Sequence, residues 1–253
     1  MRFDCMVLGA GMVGISAALH LQKRGRSVLL VDRRPAAEET SFGNAGLIQT
    51  EGVMPYTFPR DLAKIARYAL NLLPESRIRY GALPELAPWL WQYWRHGAAE
   101  PAMRSAHGLK ALIERCLPEH QALIAAADAG ALVRYDGYLK VYRDAATVEA
   151  VAREQQRVRD LFGVPFDVLD EARVRELEPH VSGVAGGIHL TGPASVSDPS
   201  ALGKAYATHF VGSGGIFRTA DARTLEPAQG GGWQVQSVDG PIEARDAVLA
   251  LGI

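Results

Sequence analysis

Residues 3 to 32 constrain the fold of this chain more than any other stretch. Phe3-Asp4-Cys5-Met6-Val7-Leu8 has the length and apolar character of a buried strand. Gly9-Ala10-Gly11-Met12-Val13-Gly14 turns the chain, Ile15 to Arg24 is helical, and Ser27 to Val31 is a second strand that ends at Asp32. Each glycine has a physical role: Gly9 permits a tight turn, Gly11 admits a pyrophosphate to the backbone, and Gly14 lets helix and strand pack closely. The free N–H groups at the helix start, reinforced by the helix dipole, would face the phosphates. Asp32, at the second strand's tip, suits a ribose hydroxyl. Strand, helix, strand and acid fall at the spacing of a dinucleotide site, which favours that reading over a glycine-rich turn in an ordinary strand–helix–strand unit.

Composition narrows the alternatives. With 48% hydrophobic residues in 253 positions there is ample material for a core, in one domain or two. Lys plus Arg number 27 against 28 Asp plus Glu, a formal charge of -1, so no basic surplus argues for a nucleic-acid partner. Cys5 and Cys116 form no disulfide framework and no metal-ligand spacing, which suits a reducing compartment and makes the cytoplasm the expected location. The N-terminus lacks the uninterrupted apolar region of a secretion signal, and no apolar run is long enough to span a bilayer.

Beyond Asp32-Arg33-Arg34 the pattern departs from a plain NAD-binding fold. Thr40 to Ile48 (TSFGNAGLI) is small, polar and glycine-rich, with neither helical nor strand periodicity. Such a segment can lie against a flat ligand and donate hydrogen bonds to it. Helices are expected over 58–73, 101–129 with Pro118 as a break, 145–161 and 171–177, with a compact aromatic segment at 84–96. Residues 131–135 and 138–142 flank Asp136-Gly137 as a hairpin would, and 186–190 reads as a strand. Ser197-Asp198-Pro199 is a helix start, and 215–218 is the next strand of the nucleotide sheet. Three strand-like pieces, 221–225, 233–238 and 242–245, form a meander, and 247–252 reads as a buried strand.

Taken together, GAGMVG at 9–14, VDRR at 31–34, TSFGNAGLI at 40–48, SDPSAL at 197–202 and VLALG at 248–252 resemble FAD-dependent oxidoreductases of the D-amino acid oxidase superfamily. The likeness is strongest to D-amino acid dehydrogenase (small subunit) and glycine oxidase. It implies an α/β fold: a Rossmann-type, glutathione-reductase-like FAD domain over 1–53 and 197–253 with a β-meander, and an inserted α+β substrate domain over 54–196. It assigns the pyrophosphate to Gly9, Ala10, Gly11, Met12, Val13 and Gly14, the adenosine ribose to Asp32, and the adenine edge to Arg33 and Arg34. Ser41, Asn44, Ala45, Gly46 and Leu47 would run along pyrophosphate and flavin. Ala222 would meet the adenine, and Ala250, Leu251 and Gly252 would close over the nucleotide. The implied reaction oxidises the amine of an amino acid, D-amino acids foremost, to an imine and then an oxo acid, with quinone or oxygen as final acceptor.

Relatives of this kind use an arginine to clamp the substrate carboxylate, yet no arginine here is marked out for it. Tyr138, Tyr142 and His189 are pocket candidates that read more simply as strand or core residues. Relatives also continue well past residue 253. That implies a piece of a longer enzyme, a nucleotide-binding fragment without catalysis, or half of a flavoprotein completed by a second polypeptide, with apolar surface left exposed. Trp89, Trp91 and Trp94, with Leu90 and Tyr93, suit a peripheral membrane contact. Aromatics on every face of a short helix, with only Arg95 and His96 beside them, favour buried packing instead.

Overall fold

In the computed structural model, which describes residues 2–252, the nucleotide-type sequence pattern becomes a parallel sheet. Along the chain, β1 (Arg2–Leu8), α1 (Met12–Lys23), β2 (Val28–Asp32) and the two-residue β3 (Leu47–Ile48) come first. They are followed by α2 (Leu62–Ala69), α3 (Leu83–His96) and the long α4 (Ala99–Ala126). Then come β4 (Val133–Arg134), β5 (Tyr138–Tyr142), α5 (Ala145–Phe162), β6 (Phe166–Asp170), α6 (Glu171–Leu177) and β7 (Gly186–Leu190). The remaining elements are β8 (Ala194–Val196), α7 (Pro199–Gly212), β9 (Ile216–Thr219), β10 (Glu226–Pro227), β11 (Trp233–Ser237) and β12 (Gly240–Leu249).

The residues fall into two units, one of 1–48, 117–138 and 193–253, the other of 49–116 and 139–192. These boundaries differ from 53/54 and 196/197, and they carry residues 117–138 into the first unit.

A six-stranded sheet in the order β10-β11-β12-β1-β2-β9 forms the first unit's frame, with β12, β1, β2 and β9 parallel. On one face α1 and α7 cover it, burying Ile15, Ala18, Leu19, Leu202, Tyr206 and Phe210. On the other, Met6, Leu8, Leu29 and Val31 meet Val235 and Ala244 from the meander. Each large side chain so buried contributes about 1.5–3 kcal/mol through loss of water-exposed apolar surface. A small antiparallel sheet, β3-β8-β4, belongs to the same unit. In the second unit, α5 and α6 pack on β6 and β7 within the sheet β5-β7-β6.

Several local expectations fail for identifiable reasons. The Asp136-Gly137 hairpin does not form: Val133–Arg134 pairs with β8, while Tyr138–Tyr142 joins the sheet of β7. Gly137 takes its positive φ of 71° yet donates its N–H to the Pro193 carbonyl at 3.1 Å, so this turn carries the chain between units. The strand expected at 221–225 is a single helical turn, Ala222–Thr224, because the Asp221 carboxylate caps the Arg223 amide. The third meander strand and the final strand are one ten-residue strand, β12, antiparallel to β11 and parallel to β1. Its charged midpoint does not interrupt it, since Arg245 and Asp246 face solvent and pair at 3.0 Å.

Residues 250–252 lie beyond that strand. The end is not buried as expected, with Leu249 and Leu251 65% and 58% exposed. The helix over 58–73 shortens to α2, capped by Asp61, and ends before Asn71 at φ 55°. Pro118 lies inside a continuous α4. The aromatic segment is helical, but α3 buries none of its residues, so the expectation of core packing for the tryptophans is overturned.

Candidate functional site: a glycine turn at the carboxyl ends of the parallel strands

The first unit gathers nearly every residue singled out from the sequence. Gly9 leaves β1 at φ 107°, its N–H bonded to the Val31 carbonyl at 2.7 Å. A side chain there would drive into the Ala250 carbonyl, whose own N–H bonds to Leu8 at 2.8 Å. Ala250 and Leu251, just past the end of β12, therefore lie directly against the turn, and Gly252 follows at φ 75°. Gly14 lies so close to the Gly9 carbonyl that any Cβ would overlap it, and 3.4 Å separates that Cβ position from the Ala250 methyl. This is the tight helix–strand packing its spacing implied.

Gly11 differs. Its φ of -78° suits any residue, so backbone conformation does not require glycine. A Cβ there would stand 3.2 Å from Ser41 Oγ, in the space before the first turn of α1. Ser41 Oγ accepts the Met12 N–H at 2.9 Å, which ties the glycine-rich segment to the helix start. The Val13 side chain points to solvent, whereas Ala10 is buried. Glycine at 11 keeps open a cradle floored by helix N–H groups and rimmed by a hydroxyl, the chemistry a pyrophosphate requires.

Asp32 holds the turn as well as facing it. One carboxylate oxygen accepts the Ala10 N–H at 2.7 Å, the other the Arg34 N–H at 3.1 Å. A carboxylate has about four acceptor positions, so capacity remains for a ribose hydroxyl. Arg33 and Arg34 both pair with Glu39, at 2.9 and 3.1 Å, on exposed side chains. Such pairs contribute about 0–1 kcal/mol, so they position the arginines more than they stabilise the fold.

Asn44 folds its own segment by accepting the Gly46 N–H at 2.8 Å. Gly46, at φ 63°, is buried against the Val196 carbonyl, and Leu47 begins β3 beside it. Asn44 and Ala45 stay exposed. Ala222 packs against the sheet's core cluster, two residues beyond Ala220, whose N–H bonds to the Asp32 carbonyl at 3.0 Å. A cleft of about 300 Å³ opens beside it, lined by Arg33, Thr219, Ala220, Asp221, Gln236, Ser237 and Val238. Hydrogen bonds from Arg223 hold the Asp221 carboxyl down to about 2.

Sequence reasoning missed Ala37. It is buried at φ 61° and donates its N–H to the Ala10 carbonyl at 2.9 Å, so it braces the turn from behind. Gly203 on α7 leaves the room for its methyl, and the glycine was the only signal available. Tyr138, at the edge of this unit, and Tyr142 and His189, outside it, are half-buried strand residues, and burial raises the Tyr142 hydroxyl above its usual range. Nothing in their geometry marks a catalytic group.

A glycine turn, an acid at the next strand's tip and an open helix N-terminus define a dinucleotide-binding fold whose meander packs on one sheet face. The chain belongs to the DAO family, the FAD dependent oxidoreductases, whose pattern matches residues 4–253. It is 27% identical over 250 residues to the D-amino-acid oxidase of Bradyrhizobium diazoefficiens, covering 97% of this chain and 59% of that one. Among solved structures, glycine oxidase from Geobacillus kaustophilus superposes with a TM-score of 0.63 at 17% identity, covering 99% of this chain and 55% of that one. L-amino acid deaminase from Proteus vulgaris gives 0.66 at 18% identity, covering 100% and 48%. The chain thus spans a little over half the length of the curated relative it matches. FAD is the family's cofactor, and the open cradle at Gly11 fits its pyrophosphate.

Proposed function

We propose that this chain binds FAD across the Gly9–Gly14 turn and serves oxidation of the amine of an α-amino acid, with D-amino acids the first substrates to test. The observation that carries the reading is the open space before α1, kept by Gly11 between the helix N–H groups and Ser41. Names of the relatives support the substrate class, since D-amino-acid oxidase, glycine oxidase and L-amino acid deaminase all denote chemistry on amino acids. FAD, when bound, supplies a two-electron acceptor for the carbon bearing the amine, which leaves an imine that water converts to the oxo acid.

The chain's own residues bind and orient. Gly9, Ala10, Gly11, Met12, Val13 and Gly14 present the backbone to the pyrophosphate, and Asp32 accepts from the ribose. Ser41, Asn44, Ala45, Gly46 and Leu47 border the ligand's length. Arg33, which lines the cleft with Thr219, Ala220 and Asp221, and Arg34 next to it would stand at the adenine edge, with Ala222, packed on the sheet's core cluster, meeting the adenine. Ala250, Leu251 and Gly252 close over the turn. The first unit would be the FAD domain and the second the main part of the substrate domain. Quinone or oxygen would take the electrons, and the two free cysteines suit the cytoplasm.

A second reading is that the chain binds nucleotide without turnover until a further polypeptide segment covers its apolar edge, and the exposure of Leu249 and Leu251 favours it. One experiment separates the readings. The visible spectrum of the purified chain is recorded before and after FAD, and then D-amino acids are added without oxygen. Bound flavin that bleaches supports the oxidoreductase, bound flavin that never bleaches supports the second reading, and failure to take up FAD overturns both.

A further inference from the structure

The tip of β2 carries residues suited to two different nucleotides. Asp32 suits a free ribose hydroxyl, whereas an arginine beside such a strand tip is what accommodates a 2′-phosphate in dinucleotide sites. Here Arg33 and Arg34 follow Asp32 directly. Two guanidinium groups can offer a phosphate the forked hydrogen bonds that a hydroxyl does not need.

The surrounding carboxylates show how the arginines are used. Asp32 gives one oxygen to the Ala10 N–H at 2.7 Å and the other to the Arg34 N–H at 3.1 Å, so backbone groups fix it in place. Asp221, on the cleft that Arg33 also lines, is engaged by Arg223 at 3.0 and 2.7 Å. Glu39 differs from both. Its Oε1 accepts from Arg33 Nη2 at 2.9 Å and Nε at 3.3 Å, and lies 3.1 Å from Arg34 Nε. The segment that carries Glu39 is itself tied down. The Ala37 N–H bonds to the Ala10 carbonyl at 2.9 Å, the Glu39 carbonyl accepts the Phe42 N–H at 2.8 Å, and Ser41 Oγ accepts the Met12 N–H at 2.9 Å. Glu39 is therefore held against the arginines by the glycine turn and the start of α1.

We infer that Glu39 is a specificity-determining residue of the nucleotide site: it occupies Arg33 and Arg34 and so rejects dinucleotides phosphorylated at the adenosine 2′ position. The inference rests on the reading of Gly9–Gly14 and Asp32 as the FAD site, and deepens it. Two cations and two carboxylates cancel at this strand tip, which suits the adenosine half of FAD, uncharged beyond its pyrophosphate. A 2′-phosphate would meet both carboxylates while the arginines are already engaged. With residue 39 neutral, the freed arginines outweigh Asp32, and the same phosphate meets a cationic fork.

The test uses ADP-ribose and its 2′-phosphate, which keep the pyrophosphate, dispense with the flavin and differ only at the position in question. Binding of each to the whole chain is measured by calorimetry, with FAD as the reference ligand. The parent should prefer ADP-ribose by roughly tenfold or more. Glu39→Gln should narrow that preference on the order of tenfold, as one unit charge a few ångströms away does near a protein surface, and raised salt should shrink the effect. Adding Arg33→Gln and Arg34→Gln to Glu39→Gln should restore the preference. The three side chains are exposed, so the variants should melt near the parent. A merely structural Glu39 would weaken both ligands alike and leave their ratio unmoved, which would overturn the inference while ADP-ribose binding upheld the nucleotide site. A parent that does not discriminate, or a triple variant that keeps the relaxed preference, would overturn it too. If the parent binds neither FAD nor ADP-ribose, the flavin reading falls and this inference falls with it.

Discussion

Gly9 and Gly11 stand two residues apart and lack side chains for different physical reasons, which separates their variants. At Gly9, φ of 107° and the Ala250 carbonyl both oppose a Cβ. Gly9→Ala should lower stability by at least about 1–2 kcal/mol from conformation alone, seen as a lower thermal midpoint. At Gly11 the backbone is permissive, so Gly11→Ala should melt near the parent while FAD affinity weakens on the order of tenfold, about 1.4 kcal/mol. Equal effects of the two changes on melting would refute the distinction.

Asp221 offers a pH signature. Arg223 holds its folded-state pKa at about 2, below the ordinary 3.8. The carboxylate is therefore favoured by folding: its contribution is full above 3.8 and is lost as pH falls toward 2. Carboxyl NMR should show a midpoint near 2 that moves back toward 3.8 in Arg223→Gln. The spacing made Gly9, Gly14 and Asp32 legible because their roles follow from local geometry. Ala37 was not legible, because an alanine at φ 61° is held there by Ala10 and α7, partners that are distant in sequence or that carry no signal.

Secondary elements were readable where their ends carry their own chemistry. α7 begins at Pro199 behind Asp198, whose carboxylate accepts the Ala201 N–H at 2.8 Å, and the sequence marks both residues. Removing that cap in Asp198→Ala should cost about 1 kcal/mol, measurable by denaturant unfolding. No change in midpoint would mean that the bond does not persist in solution. α6 and β7 also fall where periodicity put them. The hairpin at Asp136-Gly137 misled because a turn signal reports only that the chain bends, while pairing depends on which strands the rest of the molecule supplies. β8 and β7 supply them here, from about 50 to 60 residues away. The same limit hid the unity of β12, since Arg245-Asp246 breaks the apolar run without breaking the ladder.

At the scale of the whole molecule, the general architecture was legible and its seams were not. A parallel sheet with a meander followed from the motifs, whereas the chain's four passages between units left no mark in composition. The sheet's centre joins β1 to β12, pairing Arg2 with Glu243 and Leu8 with Leu249. On a ribosome adding about 5–20 residues each second, β1 waits on the order of tens of seconds for that partner to emerge. A nascent chain arrested with residue 239 exposed should yield readily to protease within 2–8, and one extended past residue 249 should resist. Early resistance would mean that β1 finds another partner. During that interval Met6, Val7 and Leu8, which the finished fold seals from water, depend on a chaperone or on speed to escape aggregation.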